Sequence, residues 1–374
     1  MLLYRFTLIV ASLLAISGCG VEEPLEAPVA SEPALQVTTE TVASGLAHPW
    51  GMAFLPKGEI LVTERAGRVR RVIDGKLDAS PIPGVPAVVA HGQGGMLDIA
   101  LHPDFTNNRL VYLSYAAACP EGGKTTAVGR GSYRDGLLQR FTPVFISHAC
   151  STSGQHFGGR LLFDHQGYLY LTIGDRGDRY RAQNGRDHAG TVLRLHDDGR
   201  IPKDNPFVED DDIDDAIWSY GHRNPQGIAL HPDGRQIWLH EHGPRGGDEI
   251  NQVLPGRNYG WPLVTFGREY YGPKIGATEM EGMEPPLKHW TPSIAPSGMA
   301  FYQGVVFPQW QGDLFVGALA GKHLARVRFD GLQEVEEEKL LEDMARIRDV
   351  RVGPDGFLYL LTDAPDGALL RLKP

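Results

Sequence analysis

A histidine lies between glycines in residues 154–160, which read GQHFGGR. Glycines near His156 leave its ring exposed and sterically open, as a general base must be to reach a substrate proton. A loop histidine can equally do no more than bond to nearby backbone. The segment therefore offers one candidate catalytic base, and the other polar segments decide between the two interpretations.

Several hydrogen-bond donors share one turn in residues 221–227, which read GHRNPQG. The Arg223 guanidinium can form paired hydrogen bonds with a carboxylate or polarise a carbonyl. Asn224 and Gln226 add amide groups to the same turn. The turn is suited to an anionic, carbonyl-rich ligand, and the alternative is an arginine that caps backbone carbonyls.

Oxygen ligands for a hard cation are concentrated in residues 241–251, which read EHGPRGGDEIN. Gly243 and Pro244 leave backbone carbonyls free, and Asp248 and Glu249 add carboxylates. Ca²⁺ takes about six to eight oxygen ligands, backbone carbonyls included. The spacing differs from that of an EF-hand, so the segment alone suggests a calcium site without defining one.

Basic residues recur near the C-terminus of an acidic chain, whose formal net charge is −10. Arg346 and Arg348 are two residues apart, so on a strand both would face the same way. Together with Lys322 they suggest an anion-binding channel, although they could equally be solvated surface charges. Gln93, in the segment HGQGG, supplies another polar group beside glycines.

Six copies of one unit must position these segments. Each copy has an apolar strand, a turn rich in Pro, Asp and Gly, and a second strand of alternating apolar residues. The copies begin near positions 51, 98, 160, 227, 298 and 349. A four-stranded propeller blade needs about 40–50 residues. We predict an all-β, six-bladed β-propeller over residues 39–374, with a solenoid or hairpin sandwich as the alternative.

The N-terminus predicts export. Arg5 precedes an apolar run, 6–16, which is too short for a bilayer span of about 20 residues. Residues 1–18 are predicted to be a lipoprotein signal peptide, and 19–38 a flexible tether that begins with lipidated Cys19. We expect a protein on the periplasmic side of the cell envelope, held to the membrane only by this lipid. The alternative is an ordinary signal peptide that contains a cysteine.

Composition excludes several other classes. The net negative charge argues against nucleic acid as a partner. The chain has no strand–helix G-x-G-x-x-G, P-loop, G-x-S-x-G elbow or H-E-x-x-H motif. With Cys19 assigned to lipid, Cys119 and Cys150 could form a disulfide in an oxidising compartment, although sequence does not show that the sulfurs meet.

Three segments resemble the glucose/sorbosone dehydrogenase family of soluble quinoproteins, and especially its bacterial aldose dehydrogenases. They are residues 221–227, the DEIN of 248–251 and the NYGWP of 258–262, in that order and spacing. The resemblance extends over nearly the whole predicted propeller. It implies a six-bladed propeller that binds pyrroloquinoline quinone (PQQ) and Ca²⁺ at the channel mouth and oxidises aldose sugars.

The resemblance also implies a role for each candidate residue. His156 matches the general base, and Arg223 and Asn224 match residues that hold the quinone. Gly243 and Pro244 match positions whose carbonyls bind the quinone-bound calcium. Further cofactor contacts are implied for Gln93, Lys322, Arg346 and Arg348, and Glu249 and Tyr259 resemble ligands of a second, structural calcium.

One position departs from the family pattern. Asp175 falls near the implied site, and Arg176 stands where some family members have Gln. The resemblance therefore leaves the substrate contacts there undefined. The segment 116–150 aligns poorly and receives no role.

The reaction that the resemblance implies is oxidation of an aldose at C1 to a lactone, with His156 as base and PQQ as hydride acceptor. The electrons would pass to an acceptor that the sequence does not identify. Two other functions are weighed against it. A metal-dependent sugar lactonase would not need the cations Lys322, Arg346 and Arg348, and a non-catalytic scaffold propeller would not need His156 beside Arg223.

Overall fold

The computed structural model describes residues 35–374 as six four-stranded antiparallel sheets. The prediction of an all-β, six-bladed propeller is confirmed. Strand β1 (Thr38–Leu46) comes first in the chain and joins the last blade. Blade 1 contains β2 (Pro49–Phe54), β3 (Ile60–Glu64), β4 (Arg68–Ile73) and β5 (Lys76–Leu77). Blade 2 contains β6 (Met96–Leu101), β7 (Leu110–Ala118), β8 (Lys124–Arg134) and β9 (Leu137–Ile146).

The later blades repeat this order. Blade 3 contains β10 (Leu161–Phe163), β11 (Leu169–Ile173), β12 (Thr191–Leu195) and β13 (Ile217–Tyr220). Blade 4 contains β14 (Pro225–Leu230), β15 (Ile237–Glu241), β16 (Asp248–Val253) and β17 (Lys288–Trp290). Blade 5 contains β18 (Pro296–Phe301), β19 (Leu314–Ala318), β20 (Leu324–Asp330) and β21 (Gln333–Leu340). Blade 6 contains β22 (Ile347–Val352), β23 (Leu358–Thr362), β24 (Gly367–Lys373) and β1.

Helical structure is confined to three short segments in the described chain. They are the one-turn helix α1 (Phe105–Asn108) and the 3-10 helices Arg179–Gln183 and Pro308–Trp310. None of the helices within residues 35–374 is long and apolar enough to cross a membrane. The predicted signal peptide and lipidated Cys19 lie outside the described residues and stay predictions.

The innermost strands form a closed ring. Strand β2 contacts β6, and the contacts continue through β10, β14, β18 and β22 back to β2. Each repeat predicted from the sequence begins in or beside one of these strands. The ring is closed within blade 6, where Thr38 of β1 pairs with Lys373 of β24. The two ends of the described chain therefore complete one sheet.

Apolar side chains pack between adjacent blades because strands present alternate residues to their two faces. Leu61 of blade 1 and Leu113 of blade 2 share one fully buried cluster. Trp238 of blade 4 and Phe301 of blade 5 meet edge to face at 5.4 Å in another. These interfaces fix the blades, and the loops at their ends remain available for a site.

A largely buried network of charged residues in or beside the innermost strands joins four blades. Arg160 lies 2.7 Å from Asp349 and 3.6 Å from Asp98. Arg351 contacts the same two carboxylates at 3.2 and 2.9 Å. Asp349 also accepts a hydrogen bond from the backbone of Met52 in blade 1. The network thus connects blades 1, 2, 3 and 6.

Cys119 and Cys150 form a disulfide, which confirms the pairing that the sequence left open. The bond joins the end of β7 to the loop that leads to His156. Most of the segment 116–150, which had no assigned role, forms the outer strands of blade 2. On the chain-entropy model a loop of this size contributes about 3–4 kcal/mol to the free energy of unfolding.

Candidate active site

One cavity opens among loops from all six blades. Its volume of about 290 Å³ is at the small end of the range for ligand sites. The loops are those that precede first strands or follow second strands, so they lie at one end of the ring. The residues that line the cavity are Trp50, Arg65, Gln93, Leu97, Phe157, Gly158, Asn224, Gln226, His242, Ala295, Leu319, Arg346, Arg348 and Asp363.

His156 lies at the edge of this cavity and is hydrogen-bonded to a buried carboxylate. Its Nδ1 lies 2.6 Å from Oδ1 of Asp175, and its side chain is 12% exposed. The backbone N–H of His156 donates to Oε1 of Gln93, which lines the cavity. Burial alone would raise the pKa of Asp175, but hydrogen bonding to His156 and the charge of Arg223 outweigh it and hold that pKa below its ordinary value. Asp175 is therefore an ionised partner for the imidazole.

Close backbone packing brings this pair together. A Cβ on Gly174 would lie 2.3 Å from the carbonyl oxygen of His156, so only glycine lets the end of β11 approach the histidine loop. Asp175 follows directly and its N–H donates to the carbonyl of Arg223. The same contact places the loops that precede blades 3 and 4 side by side.

Arg176 supports the histidine loop and does not line the cavity. Its guanidinium donates to the carbonyls of Gln155 and Ser153 and lies 3.5 Å from the ring centre of Phe157. The residue is 1% exposed, and burial lowers its pKa to about 9. Arg176, the residue that differs from the family pattern, therefore supports the loop that carries His156.

The Arg223 guanidinium caps backbone carbonyls in this structure, as the more ordinary interpretation of residues 221–227 predicts. Its Nη1 donates to the carbonyls of His242 and Gly243 at 3.0 and 2.9 Å. Its backbone N–H donates to Oε2 of Glu241 at 2.5 Å. The guanidinium is also 5.3 Å from the ring centre of Trp261. The Gly243 carbonyl oxygen therefore already accepts a hydrogen bond from a cationic group.

Amide side chains form part of the cavity wall. Oδ1 of Asn224 accepts weak hydrogen bonds from the backbone of Gly158 and from Nε2 of Gln226, at 3.3 and 3.4 Å. Oε1 of Gln226 in turn accepts a bond from Arg348 at 3.2 Å. These long bonds leave the amide groups able to turn toward a ligand.

Arg346 and Arg348 both line the cavity and share one carboxylate. Each donates to Oδ2 of Asp363 at 3.3 Å, while His48 contacts Oδ1 at 3.0 Å. Burial alone would raise the pKa of Asp363, but the charge of Arg348 and the hydrogen bond from His48 lower it to about 2. Burial lowers the pKa of Arg348 to about 10. The cluster keeps a net positive charge.

Two further basic residues differ from the sequence prediction. Lys322 is exposed, in the turn after β19, and does not line the cavity, although its neighbour Leu319 does. Arg65 lines the cavity, and within residues 35–374 its side chain forms no ion pair or hydrogen bond. Arg65 was not predicted from the sequence, because an arginine in the turn after a strand carries no distinguishing signal.

The loop with Gly243 and Pro244 is held by Asp248. Oδ1 of Asp248 accepts the N–H of Gly243, and Oδ2 accepts the backbone of Ile294 and Ala295. Asp248 is thereby committed to the loop. Within the described residues, the carbonyl of Pro244 accepts no hydrogen bond and remains available as a ligand.

Two glutamates face each other beside a second, very small cavity. Glu241 and Glu249 are directly paired across β15 and β16, and both line this cavity together with Tyr259. Glu241 is bonded to His222 and Arg223, whereas Glu249 has no cationic partner among residues 35–374. Burial first, and then the charge of Glu241, raise the pKa of Glu249 well above its ordinary value. Such a pair is suited to a bound cation.

The hydroxyl of Tyr259 donates a hydrogen bond to the carbonyl of Gln252, so this residue faces the cavity without a free hydroxyl.

Residues 46–371 match the family described as Glucose / Sorbosone dehydrogenase. An aldose sugar dehydrogenase of Escherichia coli is 47% identical over 345 residues, which cover 90% of this chain and 93% of that protein. The apo-form structure of a soluble aldose sugar dehydrogenase from Escherichia coli has a TM-score of 0.88 at 46% identity, covering 91% of this chain and 100% of that chain. The PQQ-bound aldose sugar dehydrogenase of Streptomyces coelicolor has a TM-score of 0.75 at 28% identity, covering 90% and 99%. The chain belongs to the glucose/sorbosone dehydrogenase family.

Proposed function

We propose that this protein oxidises aldose sugars at C1 to lactones, using PQQ held with calcium in the six-blade cavity and His156 as general base. Membership of the family makes the chain a sugar dehydrogenase of the quinoprotein class. The observation that carries the finer proposal is the bonding of His156 to ionised Asp175 at the edge of an arginine-lined cavity.

The chemistry of the cavity fits PQQ, which carries three carboxylates and an ortho-quinone. Arg346 and Arg348 share a single carboxylate, and Arg65 has no partner among the described residues. The excess of positive charge would be balanced by the cofactor's carboxylates. Asn224 and Gln93 would add hydrogen bonds. Lys322 would need to turn inward to contribute.

The carbonyl oxygens that would bind calcium are not equally available. The Pro244 carbonyl has no hydrogen-bond partner in residues 35–374, while the Gly243 carbonyl is held by Arg223. Gly243 and Pro244 would hold a calcium ion beside the cofactor through their carbonyl oxygens, each of which has two lone pairs, and Arg223 would polarise a substrate or cofactor oxygen. The Glu249 carboxylate, buried opposite Glu241, supports a second cation there.

The protein's own contribution is to bind, orient and deprotonate the sugar. With its Nδ1–H donated to Asp175, His156 presents the lone pair of Nε2 to the anomeric hydroxyl. Asp175 fixes that tautomer and stabilises the imidazolium that forms. Bound PQQ supplies a carbonyl centre that accepts a hydride from C1. Loss of the hydroxyl proton to His156 and of the hydride from C1 turns the cyclic hemiacetal into a lactone.

The lactonase alternative requires carboxylates that converge on a divalent ion in the cavity. Asp363 is the one carboxylate among the lining residues, and it is bonded to Arg346, Arg348 and His48. The lining therefore favours an anionic ligand over a metal-bound hydrolytic water.

Reconstitution tests the proposal. Metal-stripped protein supplied with PQQ and Ca²⁺ is expected to reduce an electron-acceptor dye when aldoses are added, and omission of either addition should abolish the activity. Calorimetry with PQQ gives a separate measure of binding. Tight PQQ binding without turnover on any aldose would contradict the enzymatic proposal, and no binding at all would contradict the cofactor assignment.

Attachment to the envelope is a separate proposal that rests on the sequence of residues 1–38. Cys19→Ser is expected to move the protein from the membrane fraction to the soluble fraction, because it removes the thiol that would carry lipid. Fractionation followed by immunoblotting measures the change, with the wild-type protein as the reference. Membrane attachment that persists in Cys19→Ser would rule out this anchor.

A further inference from the structure

Trp261 touches both parts of the site that the proposed mechanism uses. Its indole Nε1–H donates to Oδ2 of Asp175 at 2.8 Å. Its ring centre lies 5.3 Å from the Arg223 guanidinium and 5.5 Å from that of Arg179. The residue is 5% exposed. One side chain therefore bonds the partner of the base and lies beside the arginine.

The segment that carries Trp261 is fastened to the loop before blade 4. The N–H of Trp261 donates to the carbonyl of Gly221, and its carbonyl accepts a bond from Gln183 at 2.8 Å. Gly221 permits this approach because a Cβ there would lie 2.1 Å from Oδ1 of Asn258. The indole is thus held by backbone contacts, so its N–H is directed at Asp175 by the fold.

We infer that Trp261 is a positioning residue that holds the Asp175 carboxylate and thereby sets the proton affinity of His156. The inference rests on the proposed function, since it assigns His156 the role of base. Asp175 has two other bonded groups, the N–H of Gly177 at 2.8 Å and His156 itself. Trp261 occupies the oxygen that His156 does not use.

The direction of the effect follows from the competition between donors. A hydrogen bond from the indole disperses the negative charge of Asp175 and weakens its attraction for a protonated imidazole. Without that bond, the carboxylate attracts the imidazolium more strongly, so His156 takes up its proton at higher pH. The charged and titratable groups that also face the pair are Arg176, Arg179, Arg223 and His242. They are unchanged by substitution of Trp261.

Trp261→Phe keeps the ring beside Arg223 and removes the N–H. The acidic limb of the pH profile of kcat/KM should move upward by about half a unit to one unit. The plateau should fall by about three- to tenfold, because the carboxylate is held less firmly. PQQ affinity should remain that of the wild type, since Trp261 does not line the six-blade cavity.

Asp175→Asn supplies the opposite result. An amide carries no charge to stabilise the imidazolium, so the acidic limb should move to lower pH while the plateau falls. Trp238→Phe is the matched control, because it also deletes an indole hydrogen bond, to Gln236, from a buried tryptophan away from the site. It should leave the acidic limb in place.

A measurement without turnover separates this inference from the proposed function. NMR of histidine-labelled apoprotein gives the protonation midpoint of His156, whose resonance is identified by its loss in His156→Ala. The midpoint should rise in Trp261→Phe and fall in Asp175→Asn. An unmoved midpoint in Trp261→Phe would overturn the inference, even if Asp175→Asn lowers the midpoint and the wild type is active. If the midpoint moves as expected in the two variants but the reconstituted wild type shows no activity, the result would count against the proposed function alone.

Discussion

His156→Ala is expected to lower kcat by about 10²–10⁴-fold while PQQ affinity stays unchanged. The side chain of His156 is bonded to Asp175 and does not line the cavity, so its removal deletes the base without removing a wall of the cofactor site. The backbone N–H that binds Gln93 is retained in the variant. Stopped-flow reduction of PQQ-loaded protein by an aldose measures the step directly.

Added imidazole offers a further check on the same residue. If the missing group is a proton acceptor, imidazole in solution should restore part of the rate in His156→Ala, with a dependence on the concentration of its neutral form. His165→Ala, in the exposed turn between β10 and β11, is a matched control that should behave as wild type. Equal rates in His156→Ala and wild type would show that the base lies elsewhere.

Arg160→Met is expected to lower the free energy of unfolding by about 3–5 kcal/mol. Arg160 is 2% exposed and lies between Asp98 and Asp349, so its loss leaves two buried carboxylates with Arg351 as their one cationic partner among the described residues. Methionine keeps an apolar stem against Trp50, whose ring the guanidinium faces at 4.2 Å. Urea unfolding at a constant slope measures the loss as a lower midpoint.

Two further variants test whether the loss of stability in Arg160→Met comes from the buried charge network. Arg186→Met removes a surface pair with Asp212, whose side chains are 68% and 86% exposed, and should cost no more than about 1 kcal/mol. Asp349→Asn in the Arg160→Met background should recover part of the loss, because it leaves the network with one carboxylate, Asp98, for the one remaining cation, Arg351. A loss in Arg160→Met no larger than in Arg186→Met would contradict the role given to the central network.

The fold was predictable because its signals are local. Alternating apolar residues and turns rich in Pro, Asp and Gly mark each blade within about 20 residues of sequence. His156 and Arg223 were found for a related reason, since each lies among glycines in a loop before a first strand. Such loops can be recognised from their sequence, even though the sequence does not show which loops lie together in the fold.

The partners of these residues could not be predicted in the same way. Asp363 follows β23 and reaches Arg348 only because blade 6 brings the two strand ends together. Trp261 meets Asp175 across 86 positions of sequence. The contact of Arg223 with the Gly243 carbonyl depends on side-chain orientation, which tertiary packing decides. Spacing in sequence contains none of this information.

Strand β1 gives the propeller an order of assembly. Among residues 35–374 its hydrogen-bonded partner is β24, so its pairing must wait until β24 has been synthesised. Closing so large a loop is entropically unfavourable before the neighbouring blades have packed. A nascent or truncated chain that lacks β24 would leave β1 unpaired and one edge of β23 open, in the blade that supplies Arg346, Arg348 and Asp363 to the cavity. A rigid cofactor pocket would thus be expected only after β1 and β24 have paired.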